Sequence, residues 1–138
     1  MGLRCHEAGL PAHHVVRRAG VRCTSPARTL VDLTRRGSLG SGLGFIDAAL
    51  HAGLVREDEL TLVVRDCRGW PGIRRAATAV DLADPAAESP LESQSRLYVY
   101  QRGLPPPLTQ QVITVPGGDC YRVDFLWLPQ RVIGGPTG

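Results

Sequence analysis

The sequence predicts an α+β fold in which a helical first part gives way to a helix that feeds an antiparallel sheet. Three observations lead there. Apolar residues recur at helical spacing in successive runs between Pro26 and Arg102, each run closed by Gly or Pro; the spacing switches to period two at Gln111; and Gly117-Gly118 sits between two alternating runs. At 138 residues the chain builds one modest core, or two small ones that lean on each other.

Residues 1–24 read as the remnant of an upstream segment. Val15-Val16 and Val21-Arg22-Cys23 suit two short strands around Ala19-Gly20, and a lone hairpin is marginal in water. Residues 25–84 read as a helical linker domain. Ser25 is a good N-cap and Pro26 suits the first helical position; Ala27, Leu30, Val31 and Leu33 form the stripe, and Gly37 ends it. A second helix spans about 39–52 on Phe45, Ile46, Ala49 and Leu50, weakened at its start by Gly40, Gly42 and Gly44 at about 1 kcal/mol each. Glu57, Asp58 and Glu59 open a third helix at its positive end. Trp70-Pro71-Gly72 starts a fourth, which Asp84-Pro85 breaks. A fifth runs from Ser89-Pro90 to Arg102 with Leu91, Leu97, Val99 and Tyr100 packing inward. The spacer Leu104-Pro105-Pro106-Pro107 follows. Gln111–Val115 and Tyr121–Trp127 form a hairpin, and Arg131-Val132-Ile133 begins another strand.

All 16 basic residues are arginine, so no lysine serves as base, Schiff-base former or phosphate ligand. Charge is uneven: residues 1–82 hold 12 arginines against 8 acids, and residues 83–138 hold 4 against 5. A weakly basic first part suits nucleic acid, or is a solvated helical surface. Four cysteines without a Cys-x-x-Cys pair or a secretory signal read as reduced thiols, and no apolar run reaches a membrane span. The expectation is a soluble cytoplasmic protein. His13-His14 and Cys5-His6 lack zinc-site spacing.

Acids carry the strongest chemical signal. Glu88 and Glu92 are four residues apart at the fifth helix and can share a face. Glu88 also sits where a helix start welcomes an acid, so capping competes with ligation there; Glu92 has no such alternative. Asp124 interrupts the apolar run Val123-Asp124-Phe125-Leu126-Trp127, a costly place unless it is exposed at an edge, paired with arginine or bound to metal. Arg96 and Arg122 are available to pair it. Acids converging from a helix and a strand suit Mg²⁺, which takes one or two carboxylates plus water and activates that water against a phosphodiester.

Four segments occur in fixed order: Ser25-Pro26-Ala27-Arg28-Thr29-Leu30-Val31-Asp32-Leu33, Glu88-Ser89-Pro90-Leu91-Glu92-Ser93, Gly103-Leu104-Pro105-Pro106-Pro107 and Arg122-Val123-Asp124-Phe125. Together they resemble actinobacterial proteins with the Vsr/MutH-like endonuclease domain (domain of unknown function 559) of the PD-(D/E)XK restriction-endonuclease-like superfamily. In fuller relatives a winged-helix segment with an AbiEi-type antitoxin label precedes the first of these motifs. The resemblance implies that residues 1–24 are what remains of that segment and that residues 85–138 are a truncated, incomplete restriction-endonuclease-like core. It places metal ligands on Glu92 and Asp124, with Glu88 as an accompanying catalytic acid, Mg²⁺ or Mn²⁺ as cofactor, and DNA contacts on Arg96 and Arg122. The family's third acid falls on Gly135, where Gly135-Pro136-Thr137-Gly138 replaces the acidic stretch.

Two functions follow as expectations. One is an Mg²⁺-dependent DNA endonuclease crippled by loss of the third motif. The other is a DNA-binding antitoxin or transcriptional regulator with a nuclease-like scaffold, with a toxin as a possible partner; a non-functional gene remnant is the third possibility. The oligomeric state stays open.

Overall fold

The computed structural model describes residues 2–135. A single 3-10 turn, Ala12–His14, leads into a hairpin of β1 (Val15–Arg18) and β2 (Val21–Thr24). Helices α1 (Pro26–Arg36), α2 (Leu39–His51), α3 (Glu57–Asp66) and α4 (Ile73–Leu82) follow. Then α5 (Pro90–Gln101) feeds β3 (Leu108–Thr114), β4 (Cys120–Trp127) and β5 (Val132–Gly134). Both sheets are antiparallel, one ordered β1-β2 and the other β3-β4-β5. The arrangement is α+β, helices first, as expected.

Local chemistry sets the helix starts. The hydroxyls of Ser25, Ser38 and Ser89 each accept from a backbone N–H in the first turn of α1, α2 and α5. Glu59 in α3 instead reaches back to the backbone N–H of Arg56, at 2.8 Å.

One core closes between α1, α2, α3 and α4. Val31, Ile46, Leu60, Val63, Cys67, Ala76 and Ala79 lie within it, and burying each of the larger aliphatic chains stabilises by about 1.5–3 kcal/mol. Leu33, Phe45, Leu91 and Tyr100, expected to pack inward, are instead about half exposed. Polar residues with local partners take inward positions. Thr34 is fully buried because its hydroxyl donates to the Leu30 carbonyl. Gly42 then has a packing reason: a Cβ there would lie 2.3 Å from Thr34 Cγ2, so α1 and α2 approach this closely only over glycine.

The Ser-Pro-Ala-Arg-Thr motif proves structural. Arg28 is buried, its Nε donating to Asp32 at 2.9 Å and its Nη1 to the Gly9 carbonyl at 2.9 Å. Asp32 also accepts from Arg35 at 2.8 Å, and both guanidinium groups lie over the Trp70 ring. Two cations sharing one acid and one aromatic face tie the N-terminal segment, α1 and the α3–α4 connection together.

Candidate functional site

Glu88 does not stack with Glu92 on one helix face, because it precedes α5. Glu92 occupies the third helical position, and it does the capping. Its Oε1 accepts from the Ser89 hydroxyl at 3.1 Å and its Oε2 from the Glu88 N–H at 3.3 Å, while Ser89 accepts from the Glu92 N–H. This is capping-box chemistry. The capping role offered to Glu88 thus falls to Glu92, which is buried, whereas Glu88 is exposed and pairs with Arg122 across to β4.

Arg96 pairs with Asp47 and not with Asp124. It is buried, its Nε donating to the Leu82 carbonyl at 2.8 Å and its Nη2 to Asp47. Its remaining nitrogen has no hydrogen bond but lies 4.0 Å from Asp84. Ser93 also donates to Asp47. Burial raises the Asp47 carboxyl above its usual range, against the opposing pull of Ser93, the Asp84 N–H and Arg96. The inward side of α5 thus carries Glu92, Ser93 and Arg96 beside Leu97 and Val99.

Asp124 and Glu92 do converge, through a residue the sequence did not single out. The β3–β4 register pairs Thr109 with Phe125 and Gln111 with Val123, which leaves Gln110 opposite Asp124 but outside the ladder. Gln110 adopts φ +49°, which interrupts the pairing there within β3. Its side-chain nitrogen donates to Glu92 Oε2 at 2.8 Å and to Asp124 Oδ1 at 3.3 Å. One amide therefore bridges two acids, and its own oxygen is buried without a partner. Gly135 adjoins the same place: a Cβ on it would lie 2.7 Å from Asp124 Oδ2. Pro136, Thr137 and Gly138 lie outside the described residues. No sequence signal short of a strand irregularity marks Gln110.

A second cluster joins parts of the chain far apart in sequence. His13 and His14 both place Nε2 on Asp66 Oδ2, at 2.7 and 3.1 Å. These three ligand atoms lie within 4.8 Å of one another, the one such group among the described residues. Arg28 decides what it does. Its Nη1 lies 3.1 Å from His14 Nδ1, and a guanidinium only donates. His14 Nδ1 therefore accepts, Nε2 keeps its proton, and the ring donates to Asp66 instead of ligating metal. The hydrogen bond from His13, opposed by desolvation and aided by that from His14, holds the Asp66 carboxyl below its usual range.

Residues 1–88 match the family model described as the AbiEi antitoxin C-terminal domain. The match runs through the hairpin and α1 to α4 and stops ahead of α5; it is not confined to a segment before the Ser-Pro-Ala-Arg-Thr helix, where the sequence placed the antitoxin label. Two uncharacterized proteins of Mycobacterium tuberculosis, from strains CDC 1551 / Oshkosh and ATCC 25618 / H37Rv, are each 36% identical over 129 residues, covering 90% of this chain and 48% of the relative. The chain spans about half the length of the curated relatives it matches. Neither the family description nor these relatives' names carries an endonuclease function. No solved structure matches the chain.

Proposed function

The chain belongs to the AbiEi antitoxin C-terminal domain family, and we propose that it acts by binding, as a DNA-binding antitoxin or transcriptional regulator whose nuclease-like end is a scaffold. A toxin protein is the other partner that the family description implies. One observation carries the DNA reading. Arg17, Arg18, Arg22, Arg36 and Arg74 are all exposed in the family-matched part, and none belongs to an ion pair among the described residues. Unpaired guanidinium groups on one chain segment are what a phosphate backbone neutralises, with release of its counterions. Nor does any helix among the described residues have the length and apolarity to cross a membrane.

The bridge at Gln110 favours a second reading, an Mg²⁺- or Mn²⁺-dependent nuclease. The residues present fit a divalent cation in part. Glu92 and Asp124 converge on the Gln110 amide nitrogen, and the oxygen of that amide, buried without a partner, is an uncharged ligand of the right kind. When bound, such a cation would supply an activated water and charge neutralisation for phosphodiester hydrolysis. This chain's own residues do less. Gln110 holds the two carboxylates together, Glu92 is committed to the α5 cap, and Gly135 offers no side chain where a third acid is expected.

A gel-shift and plasmid-nicking experiment separates the readings. The expected result is a shifted duplex DNA in EDTA and intact plasmid in Mg²⁺ or Mn²⁺. No shift at low salt would sink the binding function. Nicking that Asp124→Ala abolishes would establish the nuclease in its place.

A further inference from the structure

We infer that the β1–β2 hairpin is the element that enters DNA, tip first, in the major groove of a duplex. This inference rests on the DNA-binding reading above and gives it a location.

The hairpin is built to project. Its two strands pair only with each other, and the chain turns at Ala19 and Gly20, both at positive φ (48° and 78°). Two consecutive left-handed residues match a two-residue turn whose twist suits the flanking strands, so the tip is well defined. Val21 at the tip is 65% exposed, and no helix covers it. Arg17 Nη1 donates to the Gly20 carbonyl at 3.0 Å, which stiffens the turn further.

Its charge meets no carboxylate among the described residues. Residues 8–31 contain four arginines and no acid, and of the four only Arg28 is buried. Arg17 stands directly across from Arg22, and Arg18 across from Val21. Like charges opposite each other destabilise a strand pair unless an anion intervenes. No carboxylate pairs with either arginine among the described residues.

Geometry then selects the partner. Side chains alternate across a strand, so Arg17 and Arg22 look to one side of the ribbon and Arg18 to the other. A ribbon inserted end-on shows its two faces to the two phosphate walls of a groove. The major groove of B-DNA, about 12 Å wide, admits a two-stranded ribbon without deforming the duplex, whereas binders of the minor groove, about 6 Å wide, bend or kink the DNA at an energetic cost. The deep, narrow major groove of duplex RNA excludes it.

The test uses the full chain and a fluorescein-labelled duplex DNA of about two helical turns, read by anisotropy over a salt series. The variant Arg17→Gln/Arg18→Gln/Arg22→Gln should weaken binding about tenfold or more and flatten the log–log salt dependence by about 2–3. Circular dichroism should show an unchanged helix content, because the three side chains are exposed and lie outside the helices. A matched loss of charge elsewhere, Arg56→Gln/Arg102→Gln/Arg131→Gln, should change affinity much less. Wild-type chain that binds DNA while the hairpin variant binds equally well, or while the control variant loses as much, overturns the hairpin's role and leaves the DNA-binding function standing. Equal affinity for a duplex RNA of the same sequence overturns groove entry. A wild-type chain that binds no duplex overturns both together.

Discussion

Asp47 of α2 and Arg96 of α5 form a buried ion pair that fastens the fifth helix to the helical core. Ser93 and the Asp84 N–H complete the acid's shell, the latter at 2.8 Å. Removing one partner strands the other charge in the interior, which costs far more than an exposed pair contributes. Asp47→Ala should destabilise by about 3–5 kcal/mol, and Asp47→Asn by less, since an amide oxygen still accepts from Ser93 and Arg96. Urea unfolding with both variants checks this. Near-wild-type stability of Asp47→Ala would show that α5 is held by other contacts.

Two glycines one helical half-turn apart should respond with opposite sign. At Gly42 an added Cβ meets Thr34 on three atoms between 2.3 and 2.8 Å, whereas at Gly44 nothing lies within 4 Å. Gly44→Ala should stabilise by about 0.5–1 kcal/mol through helix propensity alone. Gly42→Ala has the same propensity gain but overpacks the α1–α2 contact, at a cost of about 1–3 kcal/mol, so its net effect is destabilising. Thermal melts of the two variants side by side give the signs.

The thiols divide by burial. Cys67 is fully buried, and burial is the largest influence raising its pKa, while Cys5, Cys23 and Cys120 are exposed. A disulfide reagent at neutral pH should label three thiols quickly, and the fourth only after denaturant is added. Rapid labelling of all four in the native state would contradict the core as described.

Acid should loosen the N-terminal hairpin's anchor. The Asp66 carboxyl is depressed, chiefly by its hydrogen bond from His13. A depressed carboxyl contributes stability that is present above the usual carboxylate range and is lost as pH falls through the lowered value. Asp66→Asn should therefore lower the melting temperature near neutral pH, and the difference from wild type should shrink and vanish in acid. A difference that stays constant across the titration would assign the effect to packing and not to the carboxylate.

Much of the secondary structure is readable from single residues. Ser25-Pro26, Ser89-Pro90 and Gly117-Gly118 mark their boundaries because caps and turns are satisfied within a few residues of chain. The candidate site is only half readable. Asp124 draws notice as an acid among apolar strand residues, and it does meet Glu92, but the group between them is Gln110, whose position follows from a positive φ that no composition rule assigns to glutamine. The stripe of α5 is misread for a related reason: Leu91 looks inward by type and lies outward, while Arg96 lies inward because Asp47 waits there.

By itself the sequence determined the α+β order, the helix and turn boundaries, the uneven charge and the acids worth watching, since each of these is fixed by local propensity or by counting. Tertiary structure alone decided which polar group meets which. His13 and His14 find Asp66 across more than fifty residues, Arg28 sets the tautomer that keeps that cluster from ligating metal, and Arg96 is spent on Asp47. The physical reason is the same in each case. A buried charge must be matched, and the partner that matches it is chosen by how helices pack and not by distance along the chain.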